Sequence, residues 1–306
     1  MTSIAFPALF TGRRVYDVSP NGSDDLYLSF GKGHERVSWK QQPSIFTAAH
    51  RRGFNSSLVG WHHPYCRVFG ASVADCFWTP NVDALTSLRR EISISRQGAR
   101  LLLPGRDVMP IAHQYRTVSR EQQDEYRRTL EHASAVVANP DLHLIVLHWL
   151  VPHPPGIYDR HRNRLEIRQG SNYFDNLELV DVTLGTVRRA LEAAGLWDQT
   201  TLIVTGDHPL RLKVWEHRPV WTTEEARLTA RRQDPRVPFL VKLPHRSDPL
   251  TYGSPFDTVL LHGLILSWLD GKRSTAPEVV SFIEANRKSF RVHGADPNEF
   301  GKRLLH

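Results

Sequence analysis

The stretch TLIVTGDHPLR, residues 201–211, decides how the rest of the chain is interpreted. It begins with an apolar run that is typical of a buried strand. The run ends at Gly206 and is followed at once by Asp207 and His208. Because a carboxylate and an imidazole are costly to bury without a partner, a metal ion bound by both would explain their position. A turn in which the aspartate caps the backbone is the alternative.

Predicted strands and helices alternate on both sides of this stretch. Residues 171–195 have the spacing of a long amphipathic helix that ends at Gly195. Residues 142–149 predict a strand buried on both faces, and residues 237–243 predict a further strand. This order predicts an α/β fold, in which helices cover both faces of a mixed, mostly parallel sheet as a three-layer α/β/α sandwich.

The organisation of the chain favours one domain. Its 306 residues contain no internal repeat and no low-complexity linker, so we expect a single domain over residues 1–306. Residues 209–236 combine prolines with many charges and are interpreted as a lid or an insertion. No apolar run approaches the about 20 residues that a membrane span needs. The two cysteines, Cys66 and Cys76, are compatible with one local disulfide or with two half-buried thiols.

The formal net charge of +7 leaves three classes of partner to consider: nucleic acid, an anionic surface and an anionic substrate. The arginines occur as doublets spread along the chain and are not gathered into one stripe. There is no recognisable nucleic-acid-binding module, and basic and aromatic residues are not interleaved. We therefore expect no nucleic-acid partner, and an anionic small molecule is the partner that fits better.

Polar side chains follow two predicted strand ends. His148 and His153 lie at and after the first, and Asp207 and His208 follow the second. Because ligands of open α/β sheets bind outside the carboxyl ends of the strands, these side chains are expected at one rim. Imidazole and carboxylate ligands suit zinc, with manganese as a harder alternative. His153 lies between prolines with nothing apolar to pack against, whereas His148, inside an apolar strand, is more typical of a hydrogen-bonded core histidine.

Three motifs in order resemble the sulfatase-like branch of the alkaline phosphatase superfamily: PHPPGIYDR, NYFDNLELVDVTLGTVRRALEAAGLWDQTTLIVTGDH and VPFLVKLP. This group includes arylsulfatases, phosphoethanolamine transferases and lipoteichoic acid synthases, and the resemblance extends from about Ser44 to Leu269. It implies an alkaline-phosphatase-like fold and a metal-dependent hydrolase or transferase acting on phosphate or sulfate esters. It also implies that Asp207 and His208 bind a divalent metal, with zinc preferred over manganese, calcium or magnesium. His153 would face the transferred phosphoryl or sulfuryl group.

The start of the chain, TSIAFPALFTGRR, resembles the nucleophile segment of the same family. The resemblance implies that Thr2 forms a covalent intermediate, with Ser3 as the alternative. A threonine hydroxyl is a weak nucleophile until a metal lowers its pKa or a base takes its proton. Sulfatases make formylglycine from a Cys-x-Pro-x-Arg or Ser-x-Pro-x-Arg element, which does not occur near this N-terminus. Phosphoryl chemistry is therefore favoured, and sulfate esters stay open.

Three residues after the Asp-His pair are candidates for substrate binding. Arg211 and Lys213 could hold an anionic substrate through charge-assisted hydrogen bonds, and a solvated loop is the alternative. His217 is the nearest counterpart of a further histidine in the phosphoethanolamine transferases. His62 and His63, after a short predicted strand, are weaker candidates, because a packed aromatic turn explains them equally well.

The resemblance also implies a first strand, upstream of the nucleophile, that supplies acidic metal ligands. Almost nothing precedes Thr2, so we expect an N-terminally truncated catalytic domain with a weakened metal site. Full-length relatives are often membrane-anchored with an extracytoplasmic catalytic domain, and the location of this chain stays open. The alternative function is that of a catalytically impaired remnant acting as a non-enzymatic interaction domain.

Overall fold

A computed structural model describes residues 2–33, 35–80, 111–167, 171–210, 212, 221–230, 236–245 and 249–287. The strands are β1 Asp17–Pro20, β2 Leu26–Ser29, β3 Val37–Ser38, β4 Ser56–His62, β5 Asp75–Pro80, β6 Leu144–Leu147, β7 Tyr158–Asp159, β8 Arg164–Leu165, β9 Leu202–Thr205 and β10 Phe239–Lys242. The helices are α1 Thr2–Thr11, α2 Ile45–Arg51, α3 Tyr65–Phe69, α4 Ile111–Val137, α5 Tyr173–Ala193, α6 Thr223–Thr229, α7 Leu260–Leu269 and α8 Ala276–Asn286. None of these described helices is both long and apolar enough to cross a membrane.

Parallel pairing defines the central sheet. Strand β4 lies between β5 and β6 and is parallel to both. Strand β9 pairs with β10 in the antiparallel sense as a separate two-stranded sheet, and β1, β2 and β3 form an antiparallel meander. The predicted α/β fold with mixed, mainly parallel pairing around its centre is confirmed.

Alternate side chains of β4 face two different hydrophobic clusters, as the period of two along a strand requires. Leu58 packs with Phe10, Phe46 and other aromatic residues under α1, α2 and α3. Val59 packs on the opposite face with residues of α4 and α5, among them Ala133. Helices therefore cover both faces of the parallel sheet, which is the three-layer arrangement that the sequence predicts.

Strand β6 differs from its prediction in length and burial. It covers only Leu144–Leu147, and all four side chains are partly exposed where burial on both faces was expected. Its described hydrogen-bonded neighbour is β4, with Ser56 opposite Leu144. Because a strand that is paired on one side is covered less completely than a central strand, the apolar run is only half buried.

Two cross-links hold the segments around the parallel sheet. A disulfide joins Cys66 in α3 to Cys76 in β5, which decides between the two states left open by the sequence. Helix α6, within residues 209–236, attaches to α5 through Glu225, which is 1% exposed and accepts a hydrogen bond of 2.9 Å from the Tyr173 backbone N–H. The interpretation of residues 209–236 as a lid or insertion, and of the chain as one domain, stays a prediction.

Candidate active site

Three strand ends and one helix start contribute to the candidate site. Strand β4 ends at His62, β6 is followed by His148, and β9 is followed by Gly206 and Asp207. Helix α1 begins at Thr2. The histidines that follow β4 and β6 lie within electrostatic range of Asp207, so the carboxyl ends of these strands face a common region, as the sheet rule requires.

Asp207 is the acidic centre of this region. Its side chain accepts a hydrogen bond from the side chain of Thr2. Burial raises the pKa of its carboxyl, but the charge of His208 and the Thr2 hydrogen bond outweigh burial and hold the pKa below its ordinary value. The carboxylate is therefore ionised at neutral pH. Its Oδ2 atom is buried and has no hydrogen-bond partner in the part of the chain that the structure describes, which is a costly arrangement without a further ligand.

The ring of His208 is oriented by the backbone. Its Nδ1 lies 2.8 Å from the carbonyl oxygen of Pro209, to which the Nδ1–H donates. The other ring nitrogen, Nε2, lies 3.8 Å from Asp207 Oδ2. A backbone bond at one ring nitrogen is the usual way in which a metal-ligating histidine is oriented.

His153 is held in the same way, next to the aromatic wall of the site. Its Nδ1 lies 2.9 Å from the carbonyl oxygen of Pro154, to which the Nδ1–H donates. The ring packs against Trp61 at a centroid distance of 5.1 Å, and the Trp61 ring lies 6.1 Å from that of His148. The backbone oxygen of His153 accepts hydrogen bonds from Gln122 and Asn176, each of 3.0 Å, so α4 and α5 fix the loop.

The sequence underestimated the histidine pair that follows β4. His63 is 3% exposed, and its Nε2–H donates a hydrogen bond of 3.1 Å to the backbone oxygen of Thr2. Burial, followed by the charge of His62, lowers the pKa of His63 to about 4. The ring is therefore neutral at pH 7, and it ties the start of α1 to the end of β4. His62 has a φ of 78°, a left-handed conformation that is rare for a residue with a side chain.

His148 is the hydrogen-bonded core histidine that its place in an apolar strand indicated. It is 8% exposed, and its Nδ1 shares a hydrogen bond of 2.9 Å with the Tyr65 hydroxyl. Burial lowers the pKa of His148 to about 3, and burial raises that of Tyr65 well above its ordinary value. The Phe6 ring of α1 covers the His148 ring at 4.0 Å. Gly60 makes room for the bonded pair of Tyr65 and His148, since a Cβ at position 60 would lie 2.3 Å from the Tyr65 ring.

Two predicted metal ligands are therefore adjacent, but a complete ligand set is not assembled. Among the described residues, no group of three or more His, Cys, Asp or Glu side chains is arranged to hold a metal ion. A catalytic zinc ion usually has three protein ligands, so Asp207 and His208 would supply part of a site. The three candidate substrate-binding residues, Arg211, Lys213 and His217, lie outside the described residues.

Comparisons with solved structures show which proteins share this fold. The chain is similar to Ps i-CgsB, with 14% identity, a TM-score of 0.51, and coverage of 89% of this chain and 61% of that chain. It is also similar to the phosphonate monoester hydrolase SpPMH from Silicibacter pomeroyi, with 14% identity, a TM-score of 0.51, and coverage of 90% and 64%. The chain thus spans less than two thirds of either protein. At this identity the likeness concerns the fold alone.

Sequence comparisons give the family. A search of curated proteins found no match. A family model described as Sulfatase matches residues 1–262, which include Thr2, His153, Asp207 and His208. Since that model matches most of the chain, the protein belongs to the Sulfatase family.

Proposed function

We propose that this protein is a divalent-metal-dependent hydrolase or transferase that acts on phosphate or sulfate esters through a covalent Thr2 intermediate. The family supports an enzyme that acts on such esters. The observation that supports the metal and the covalent intermediate is that the hydroxyl of Thr2 and the ionised carboxylate of Asp207 lie side by side. The Thr2 side chain lies beside the Asp207 carboxylate and favours its charged form, and Oδ2 of that carboxylate is buried and lacks a hydrogen-bond partner among the described residues.

The donor chemistry around Asp207 fits a divalent cation. The unpartnered Oδ2 of Asp207 and the free Nε2 of His208 would hold the ion, with zinc favoured by this mixture of oxygen and nitrogen ligands and manganese, calcium or magnesium as alternatives. When bound, such an ion supplies Lewis-acid stabilisation of the transferred group and lowers the pKa of a coordinated hydroxyl.

The chain's own residues have separate roles in the proposed reaction. The Thr2 hydroxyl releases its proton to solvent, and its oxygen attacks the phosphorus or sulfur atom while the bond to the leaving oxygen breaks. Asp207 orients the hydroxyl, and His153, as an imidazolium whose Nδ1–H stays bonded to the Pro154 carbonyl oxygen, would donate its Nε2 proton to the leaving oxygen. A water molecule or a second alcohol then displaces Thr2. Since both acceptors use the same side chains, hydrolase and transferase activity are equally compatible with the site.

The start of helix α1 gives an additional reason to place an anionic group beside Thr2. The N–H groups of the first turn of a helix have no partner within the helix, and the helix dipole favours negative charge there. Thr2 is the first residue of this ten-residue helix, and the hydrogen bond from His63 to its carbonyl oxygen fixes its position. A phosphoryl or sulfuryl group bound to Thr2 would lie where this helix end can accept it.

The disulfide indicates where the enzyme works. Disulfides form and persist in oxidising compartments and are rare in the cytosol. With Cys66 and Cys76 joined, we propose an extracytoplasmic location. The partners are anionic ester substrates.

Metal analysis and turnover together test the proposal. The purified chain is expected to contain zinc or manganese near one equivalent and to hydrolyse at least one of three p-nitrophenyl esters: the phosphomonoester, a phosphodiester or the sulfate. The Asp207→Asn variant should lose both metal and turnover, whereas Asp181→Asn, an exposed aspartate of α5, should retain both. Thr2→Ala should lose turnover and keep the metal, and mass spectrometry of quenched wild type should detect the modified Thr2 peptide.

The non-enzymatic alternative rests on the incomplete ligand set among the described residues. It requires a chain that binds no metal and hydrolyses none of the three esters. That combination of results would reject the enzyme proposal. Metal binding with unchanged turnover in Asp207→Asn would reject the ligand assignment instead.

A further inference from the structure

A cavity of about 1010 Å³ extends from the candidate active site to the C-terminal helix. Asp207 and His208 line it, and so do Val280 and Ile283 of α8. The wall is also formed by strand β10 and by the segment 249–258. A volume of this size is at the upper end of the range found for small-molecule sites.

Much of the wall is apolar. Phe239 and Val241 of β10 face it, with Tyr252 and Phe256 from the neighbouring segment. Leu250, also on the wall, is 50% exposed and leaves an apolar surface open to solvent. A wall of this composition favours an occupant that removes hydrocarbon from water.

Several polar groups on the wall are already bonded within the protein. Lys242 donates to the backbone oxygens of Trp197 and Thr200, and its ammonium lies 4.8 Å from the centre of the Trp197 ring. Asp257 pairs with Arg14 at 3.0 Å, and the Tyr252 hydroxyl donates to Glu284 at 2.5 Å. A sugar in this cavity would compete for groups that these bonds already occupy, whereas a hydrocarbon chain or aromatic ring would leave them intact.

We infer that this cavity binds the non-reacting part of the substrate and that this part is an alkyl chain or an aryl group. The inference rests on the proposed function, because the ester group must be at Thr2 and Asp207 for its substituent to enter the cavity. The substrate class is therefore an amphiphilic ester with a single anionic head, such as an alkyl or aryl phosphodiester or sulfate.

Binding of alkanesulfonates of one, four and eight carbons tests the inference without turnover, because the C–S bond does not hydrolyse. Calorimetric titration of the metal-loaded full chain should show that affinity rises by about fourfold for each methylene that enters the cavity. Val280→Asp places a charge on the cavity wall at a partly exposed site, so the gain with chain length should disappear while methanesulfonate binding persists.

Two further variants control for folding. Ser281→Asp adds the same charge to the same helix at the next, exposed position, and it should keep the dependence on chain length. Leu250→Asp changes a half-exposed lining residue on a different segment and should remove that dependence, as Val280→Asp does. If the affinity of both Val280→Asp and Leu250→Asp still rose with sulfonate chain length as much as in the wild type, the inference would be overturned.

The wild-type titration separates the inference from the proposed function. Equal affinities for the three sulfonates would overturn the apolar cavity and leave the ester chemistry intact. No binding at any chain length would also overturn the inference, whereas the turnover of p-nitrophenyl esters, measured separately, decides the proposed function.

Discussion

Replacing Tyr65 by Phe tests how far the buried histidines support the candidate site. The change removes one hydroxyl, which shares a hydrogen bond of 2.9 Å with His148 Nδ1 in a fully buried position, and keeps the ring. A net hydrogen bond contributes about 0.5–1.5 kcal/mol, and the unsatisfied Nδ1 can raise the loss to about 3 kcal/mol. We therefore expect the free energy of unfolding to fall by about 1–3 kcal/mol.

The protein contains a matched control for this change. The hydroxyl of Tyr126, which is 2% exposed, forms a hydrogen bond of 2.8 Å with Thr183 Oγ1 between α4 and α5. Tyr126→Phe should therefore cost a similar free energy of unfolding in urea, but its bond joins α4 to α5 and does not involve α1. Only Tyr65→Phe should also lower kcat, because His148 packs against Phe6 of α1 and so supports the helix that begins at Thr2.

The expected loss of kcat in Tyr65→Phe is about ten- to hundredfold, the effect of a small displacement of reacting groups. Both variants are assayed well below their unfolding midpoints, with the ester that the wild type hydrolyses fastest. An equal change of kcat in the two variants would refute the reasoning, since it would mean that the Tyr65–His148 bond serves stability alone.

Two further predictions concern stability. Buried His63, with its pKa lowered from 6.5 to about 4, binds its proton less readily in the folded than in the unfolded chain, so stability is full above about pH 6.5 and falls as the pH drops towards 4. Urea unfolding across this pH range should show that this group accounts for a loss of about 3 kcal/mol in the free energy of unfolding. The His63→Gln variant should reduce that loss, whereas His50→Gln, a change at an exposed site, should not. An unchanged loss in His63→Gln would contradict this prediction. The free energy of unfolding of the Cys66→Ser/Cys76→Ser double variant should be lower by about 2–3 kcal/mol, which is the loop-closure contribution of a crosslink over ten residues. Dithiothreitol should destabilise the wild type by the same amount and leave the double variant unaffected.

The sequence correctly predicted the positions of residues that lie in, or directly after, a strand recognisable from its own apolar pattern. The apolar run before Gly206 predicts β9, and the change from apolar to polar residues places Asp207 and His208 at its end. His148 could be interpreted as a core histidine for the same reason, since an apolar strand surrounds it. Local periodicity is sufficient for such predictions, because the strand direction alone determines which end carries the polar groups.

The residues that the sequence underestimated depend on contacts between distant segments. His63 bonds to the backbone of Thr2, 61 positions away, and no local pattern indicates that contact. The pairing of β9 with β10 and the partial exposure of β6 also depend on which strands become neighbours. Periodicity predicts that a strand exists, whereas its partners are decided by tertiary packing.

The charge balance of the site limits which ester suits it. Burial keeps His63 and His148 neutral at pH 7, and Asp207 carries one negative charge. Of the positive groups outside, Arg14 is paired with Asp257, and Arg160 is shared between two carboxylates. The overall charge of +7 is therefore a poor guide to the substrate.

With one divalent cation bound at Asp207, the centre would carry one net positive charge, which matches a monoanionic phosphodiester or sulfate better than a dianionic phosphomonoester. Turnover in the p-nitrophenyl panel should follow that order, because a dianion would leave one uncompensated negative charge buried in the site.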